Sequence, residues 1–287
     1  RILICRHSDM VFFIDSNFYG ELVALYTAGT PTNLKDDATM IWPDLIDQDG
    51  KQYPSVAFTC LAEDHDGKVW VGSQQGVVYI ANPATAVRPD FRVVRPKVPR
   101  NDGTNLADYL LDDEIVTSIA VDHANRKWIG TAGSGLFLVT PNGDGVIANY
   151  TPANSALPSA VITSLYPDPS SNVIYVGTLD GLCTVATTAS PARDDYSDVY
   201  AYPNPVTPDY SGWITISGLM DDSTVKIMDS TLHLVAQTRS EGGMAVWDGC
   251  NLNGERVRSG VYYVFASTGS DSGASAGDVV TKILVIN

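Results

Sequence analysis

The chain has 287 residues, 44% of them hydrophobic and 18% charged. That is length enough for about two domains, and too apolar a composition for wholesale disorder. The formal net charge is −15, and a surface of that sign repels nucleic-acid phosphates and anionic lipid alike, so neither is an expected partner. No run approaches the ~20 apolar residues that span a bilayer, so no transmembrane segment is predicted.

The chain opens on Arg1-Ile2-Leu3-Ile4-Cys5, which reads as the interior of a strand and carries no charged leader. It is therefore expected to be the C-terminal piece of a longer protein. Three segments then repeat one skeleton: AFTCLAEDHDGKVWVGSQQGVVYI at 57–80, IVTSIAVDHANRKWIGTAGSGLFLV at 115–139 and VITSLYPDPSSNVIYVGTLDGLCTV at 161–185. Each has an apolar strand, an Asp-containing turn, an aromatic residue followed by Val or Ile and Gly, a glycine turn and a second apolar run. Trp70, Trp128 and Tyr175 are equivalent, and their spacing lies near the ~40–50 residues of propeller blades. Short β-branched runs between Gly, Asp and Asn turns, with no long helical period, fit that architecture. A degraded copy precedes them. Ile2–Cys5, a turn at Arg6-His7-Ser8-Asp9 and Met10–Ile14 are expected to be the second and third strands of a blade whose first strand is absent.

After Val185 the composition turns polar and acidic, and residues 191–198 read as a linker between a propeller part (1–190) and a C-terminal domain (199–287). Seven short strands are predicted there, at 199–202, 213–216, 224–228, 232–236, 244–247, 260–266 and 279–286. That number in about ninety residues suggests an immunoglobulin-like sandwich. Gly269–Gly277 is Ser/Gly/Ala-rich and reads as a hairpin loop. The predicted fold class is thus all-β: a partial β-propeller of three full blades and one partial blade, the C-terminal part of a larger propeller, followed by an immunoglobulin-like β-sandwich.

The residues offer little catalytic chemistry. Asp64-His65-Asp66-Gly67 and Asp47-Gln48-Asp49-Gly50 look like half of a calcium loop but lack the closing Glu, and this spelling is also a common turn. His7-Ser8-Asp9 is consecutive, whereas a hydrolytic triad is assembled from separated segments. Cys5, Cys60, Cys183 and Cys250 have no zinc spacing and suggest no disulfide framework. No catalytic residue, metal or cofactor is predicted. Topology supplies a ligand face, where second-to-third-strand turns meet the connections between blades. Arg6, His7, Gln74, Gln75, Ser134 and Asp180 are placed on it by the turns, and Trp42 by an exposed connection. Amides and an aromatic ring there suit a surface glycan or a lipopolysaccharide headgroup.

Two stretches carry family resemblances. Asp64-x-Asp66-Gly67-Lys68-Val69-Trp70-Val71-Gly72-Ser73 and Lys127-Trp128-Ile129-Gly130-Thr131 resemble the two-component-regulator propeller repeat of large extracytoplasmic propellers. Tyr202-Pro203-Asn204-Pro205, Trp247-Asp248-Gly249, Gly260-Val261-Tyr262 and the closing run from Lys282 resemble the C-terminal sorting domain of type IX (Por) secretion. A propeller with such a tail is similar to the propeller subunit of the type IX attachment complex. The resemblance implies export to the outer-membrane exterior of a Gram-negative cell and contact with the secretion and attachment machinery. A second lysine near the end, frequent in that family, is missing here, where Asn287 closes the chain. A non-catalytic binding or assembly module follows as the leading expectation. A carbohydrate-active propeller enzyme with the same tail is the first alternative, and the sensor ectodomain of a hybrid two-component system the second.

Overall fold

A computed structural model describes residues 1–15, 20–30, 32–53, 57–100, 102–269 and 279–287. The Ser/Gly/Ala-rich loop predicted at 269–277 lies, from residue 270 onward, outside the described residues. Among the described residues the chain is all-β apart from one short 3-10 turn at Pro83–Val87, and it divides into two compact units. The first holds residues 1–167 and 174–185, the second residues 168–173 and 186–287.

Four antiparallel sheets follow one another through the first unit. The first has four strands, β1 (Ile2–Ile4), β2 (Met10–Ile14), β3 (Leu22–Tyr26) and β4 (Ala38–Trp42), in that spatial order. The second contains β5 (Phe58–Glu63), β6 (Val69–Ser73) and β7 (Gly76–Ile80). A separate ribbon, β8 (Lys97–Pro99) with β9 (Ala107–Tyr109), precedes the third sheet. That sheet comprises β10 (Val116–Val121), β11 (Lys127–Thr131), β12 (Leu136–Val139) and β13 (Val146–Tyr150). The fourth comprises β14 (Ile162–Pro167), β15 (Val173–Thr178) and β16 (Gly181–Ala186).

The first sheet differs from the expectation. Cys5 N–H donates to Met10 O across the first turn, as Asp64 does to Lys68 O and Asp122 to Arg126 O in the later repeats. β1 is therefore the leading strand of a four-stranded sheet, and β2 its second. The weak spelling of this copy hid the equivalence: Phe12 stands where Trp70 and Trp128 stand, and is as fully buried.

Register explains why the middle strands are apolar without alternation. Ile119, Ile129 and Phe137 lie side by side on one face of the third sheet, and Ala120, Trp128 and Leu138 on the other. The first face packs with Trp70 and Val77 of the second sheet, the other with Ile162, Ile174 and Val176 of the fourth. A sheet covered on both sides leaves neither face in water, which is why β6 and β11 are buried throughout and why their few polar members need partners inside the fold. Gly130 permits the approach: a Cβ there would sit 2.5 Å from Ile162 Cγ2 and 2.7 Å from Ser118 Oγ. Gly130→Ala is expected to cost about 1–3 kcal/mol by overpacking, read as a lower urea midpoint at unchanged slope.

The second unit buries one core between two sheets. One contains β17 (Tyr200–Tyr202), β18 (Ile214–Ser217) and β21 (Met244–Trp247); the other β20 (Leu234–Arg239), β19 (Thr224–Met228), β22 (Gly260–Ser267) and β23 (Val279–Val285). Ile214, Ile216, Trp247, Ile227, Val264 and Ile283 meet in that core. The strand predicted at 232–236 instead begins at Leu234. Asp229 Oδ1 accepts from the N–H groups of Thr231 and His233, a side-chain turn that keeps Leu232 in the left-handed region. The segment expected to be a linker is also held down: Tyr196 packs on the core and its hydroxyl lies 2.8 Å from Ser223 Oγ.

Candidate functional site

The second-to-third-strand turns and the connections between sheets do share one end of the first unit, because backbone bonds join them. Gln74 N–H donates to Ala57 O, Ala132 N–H to Ile115 O and Leu179 N–H to Val161 O. Gly76 and Gly135 donate to Glu114 O and Ala160 O of the connections leading onward. Gln74, Gln75, Ser134 and Asp180 therefore belong to one face. Tyr53 buttresses it from below, its hydroxyl 2.6 Å from Ser73 Oγ and donating to Gln75 O at 2.5 Å.

Arg6 and His7 do not join them. Because β1 leads its sheet, their turn lies at the opposite end, where a Cβ added to Gly67 would come within 3.0 Å of His7 Cβ. Both are tied to the second sheet: Glu63 accepts from the N–H groups of Arg6 (2.6 Å) and His7 (3.1 Å) and lies 3.1 Å from His7 Nδ1. Trp42 is not an exposed platform either. Its Nε1 donates to Ala86 O at 2.7 Å and its ring lies 5.1 Å from that of Phe91, against the first core. An indole can satisfy both its apolar body and its N–H in this way, so its place in a connection did not predict exposure.

The half-calcium-loop spelling is consumed by structure. Asp64 Oδ1 accepts from Asp66 and Lys68 N–H, the usual turn bonds. Its Oδ2 accepts from Trp70 Nε1 at 2.9 Å and lies 2.9 Å from Lys127 Nζ. Lys127 is wholly buried; its ammonium also donates to Asn125 O (2.8 Å) and Pro141 O (2.6 Å) and stands 4.9 Å from the Trp70 ring centre. Burial alone would raise the Asp64 pKa, yet the bonds from Lys127 and Trp70 outweigh it and hold the carboxyl below its ordinary 3.8. Burial pushes the Lys127 ammonium down, against the pull of Asp64. The sequence signal for this ion pair was a lysine beside Trp128 at a position held by Val69 and Ile174 in the neighbouring repeats. Among the described residues no group of three or more His, Cys, Asp or Glu side chains is placed to hold a metal ion. All four cysteines are unpaired.

The tail motifs converge on the second unit's framework. Asn204, between two cis-prolyl bonds, acts as a surrogate strand residue: its Nδ2 donates to Lys282 O at 2.8 Å and its Oδ1 accepts from Leu284 N–H at 3.0 Å. Val206 continues the pairing, its N–H donating to Leu284 O. The exposed edge of β23 is thereby capped. Asn204→Ala removes both bonds at an exposed edge and is expected to lower stability by about 0.5–1.5 kcal/mol, read by thermal unfolding; Asn204→Asp keeps only the acceptor half. The Trp247 ring lies tilted against that of Tyr262, centres 5.6 Å apart, and its Nε1 donates to Cys250 O. Asp248 Oδ1 accepts from Cys250 N–H, and Gly249 takes the positive φ of the turn, where a Cβ would meet Arg256. Tyr262 donates its hydroxyl to Arg258 O, Gly260 pairs with Val285, and Lys282 lies over the Tyr263 ring.

The second unit also contains a cleft of about 460 Å³ lined in part by Ser190, Arg193, Tyr200, Tyr202 and Ser217. The exposed rings of Tyr200 and Tyr202 are stacked with centres 5.9 Å apart. Sequence reasoning did not single out this pair as a binding surface, because alternation along a three-residue strand does not say whether its outward face is covered.

Residues 52–75 match the family described as two component regulator propeller. Over its whole length the chain is similar to PorZ of Porphyromonas gingivalis, described as an essential bacterial surface component of the type IX secretion system. The identity is 30% and the TM-score 0.69, and the chain spans 38% of that protein. The extracellular domain of the one-component system BT4673 from B. thetaiotaomicron is 15% identical with a TM-score of 0.35, over 100% of this chain and 36% of that one. No curated protein matches the sequence. Among the described residues no helix is long and apolar enough to cross a membrane. The chain thus carries a two-component-regulator propeller repeat within an all-β fold and is similar along its entire length to a surface component of type IX secretion.

Proposed function

We propose that this chain is a cell-surface binding and assembly module that reaches the outer-membrane exterior by type IX secretion and works there without catalysis. The observation that carries the reading is the full-length likeness to PorZ at 30% identity. In this reading the repeat sheets are propeller blades, and the second unit is an immunoglobulin-like sandwich serving as the sorting domain. Its seven strands in two sheets around one core support that assignment, as does the Tyr262 hydroxyl bonded back to Arg258 O, a device of such sandwiches. Its partners are the secretion and attachment machinery.

The ligand class we assign is a surface glycan or a lipopolysaccharide headgroup. The stacked faces of Tyr200 and Tyr202 suit the apolar face of a sugar ring, and the hydroxyls and guanidinium around them suit its polar groups. The face bearing Gln74, Gln75, Ser134 and Asp180 is the other candidate. Two measurements test the proposal. A secreted reporter fused to residues 186–287 should appear on the surface of a type IX-competent cell; retention inside the cell rejects the sorting role. The purified chain should bind immobilised outer-membrane polysaccharide, and Tyr200→Ala with Tyr202→Ala should weaken binding about tenfold or more. Unchanged binding moves the site elsewhere, and hydrolysis of the polysaccharide favours the enzyme reading.

A further inference from the structure

The four-stranded sheet of the second unit, in the order β20, β19, β22, β23, breaks the pattern of a sheet with one wet face. An antiparallel sheet packed on one side alternates apolar residues inward with polar residues outward. The inward half conforms: Ile227, Tyr262, Val264 and Ile283 all join the core. The outward half does not. Register sets Leu234, Met228, Tyr263 and Lys282 in one row across the four strands, and Lys226, Phe265 and Val279 in the next. Val261 and Leu284 pair beside them. None of these outward apolar residues packs in the core, and Leu234, Val261, Val279 and Leu284 are 40 or 41% exposed. The central strand β22 is thus apolar on both faces, the spelling of a strand covered on both sides. The charge here is also unlike the rest of the molecule. The chain has 33 acidic residues and a net charge of −15, yet these four strands contain no Asp or Glu. Their cations are Lys226, Lys282 and Arg239. Arg239 is paired with Asp222 of the adjoining turn, and Lys282 lies over the Tyr263 ring, 5.3 Å from its centre.

Resting on the reading of the second unit as a sorting domain, we propose that this sheet face is the surface by which the secretion machinery recognises it. The partner is a protein that presents an apolar strip flanked by carboxylates. Aromatic rings and a methionine at the middle of a patch, free of acids, are the make-up of a protein–protein contact. Lys226 on β19 and Lys282 on β23 flank Tyr263 and Phe265 on β22, the strand between them. The two ammonium groups give a local attraction for an acidic partner on a chain that otherwise repels one, which fixes where and in which register it docks. A lipid surface fits less well, because the net charge of −15 repels an anionic layer that two lysines do not offset.

The test uses a secreted reporter carrying the whole chain at its C-terminus, expressed in a type IX-competent cell. Lys226→Glu with Lys282→Glu should lower the surface-exposed reporter about tenfold or more, with the remainder held inside the cell. The same pair changed to Gln should lower it less, since neutral side chains lose the attraction without adding repulsion. Tyr263→Ala with Phe265→Ala should also lower it about tenfold or more. Leu252→Ser, at an exposed turn outside this face, should leave export unchanged. The melting temperature of the purified lysine variants should match that of the wild type. A clear drop there assigns the face to internal packing and overturns the proposal. Wild-type reporter retained inside the cell rejects the sorting reading itself. Normal surface display of the Glu and Ala variants beside a displayed wild type overturns the recognition face alone. A Gln pair as damaging as the Glu pair overturns the acidic partner. Binding of the purified chain to anionic lipid vesicles, lost in the Glu pair, gives the face to a lipid surface and overturns the proposal as well.

Discussion

Lys127→Ala should lower the unfolding free energy of the first unit by about 3–5 kcal/mol, the cost of stranding a buried charge. The reason lies in what the ammonium holds. It bridges the Asp64 carboxylate of the second sheet to two carbonyls of the third and stands over the Trp70 ring. Removing it leaves Asp64 with its turn bonds and the indole N–H but no countercharge, at a site closed to water. The double substitution Lys127→Met with Asp64→Asn should recover much of the loss, because replacing both members removes the stranded charge along with its partner. A double-mutant cycle in urea measures this, and additive losses would show that the two groups are not coupled. The pH dependence has a defined sign. The folded-state pKa of Asp64 is depressed, so its contribution is fully present above the ordinary 3.8 and is lost as pH falls through the lower folded value. Asp64→Asn should therefore flatten the acid limb of the stability curve below about pH 4.

Trp128→Ala should cost a similar ~3–5 kcal/mol, this time by cavity formation. Trp128 is 1% exposed, stacks 5.8 Å from Tyr150 and donates from Nε1 to Asp122 Oδ2 at 3.0 Å. Its loss opens the interface between the third and fourth sheets and frees a buried carboxylate oxygen, although Arg126 Nε still holds that oxygen at 2.8 Å. Trp128→Phe should recover most of the packing but not the indole bond, leaving a deficit of about 1 kcal/mol. The equivalent change at the last repeat, Tyr175→Ala, should be nearly neutral in the isolated monomer, since that ring lies on an uncovered face. Equal losses at Trp128 and Tyr175 would contradict the account of which faces are buried. Both proteins are compared by urea unfolding at matched low concentration.

The repeat was legible because its signal is local. An Asp turn, an aromatic residue and a Gly at fixed offsets follow from backbone geometry that any single copy must satisfy. The seven strands of the C-terminal unit were legible for the same reason, through alternation and turn residues. What alternation cannot say is which strand leads a sheet when the markers are degraded. The first copy, with Phe12 in place of Trp and Cys5 in place of Asp, was misassigned by one strand. That single slip carried Arg6 and His7 to the wrong end of the sheet, since consecutive turns lie at opposite ends of a meander. Trp42 failed for a different cause: its partner, Ala86 O, is 44 residues away.

By itself, then, the amino-acid order determined the all-β class, the three clear repeats and the change of character near residue 186. Only the tertiary structure decided which faces are covered, that Lys127 reaches Asp64, that Asn204 completes the edge of β23, and that Tyr200 and Tyr202 stand open together. The physical reason is one of range. Turns and strand periodicity are set by neighbours in the chain, whereas burial, ion pairing and edge capping depend on groups brought together from far apart along it.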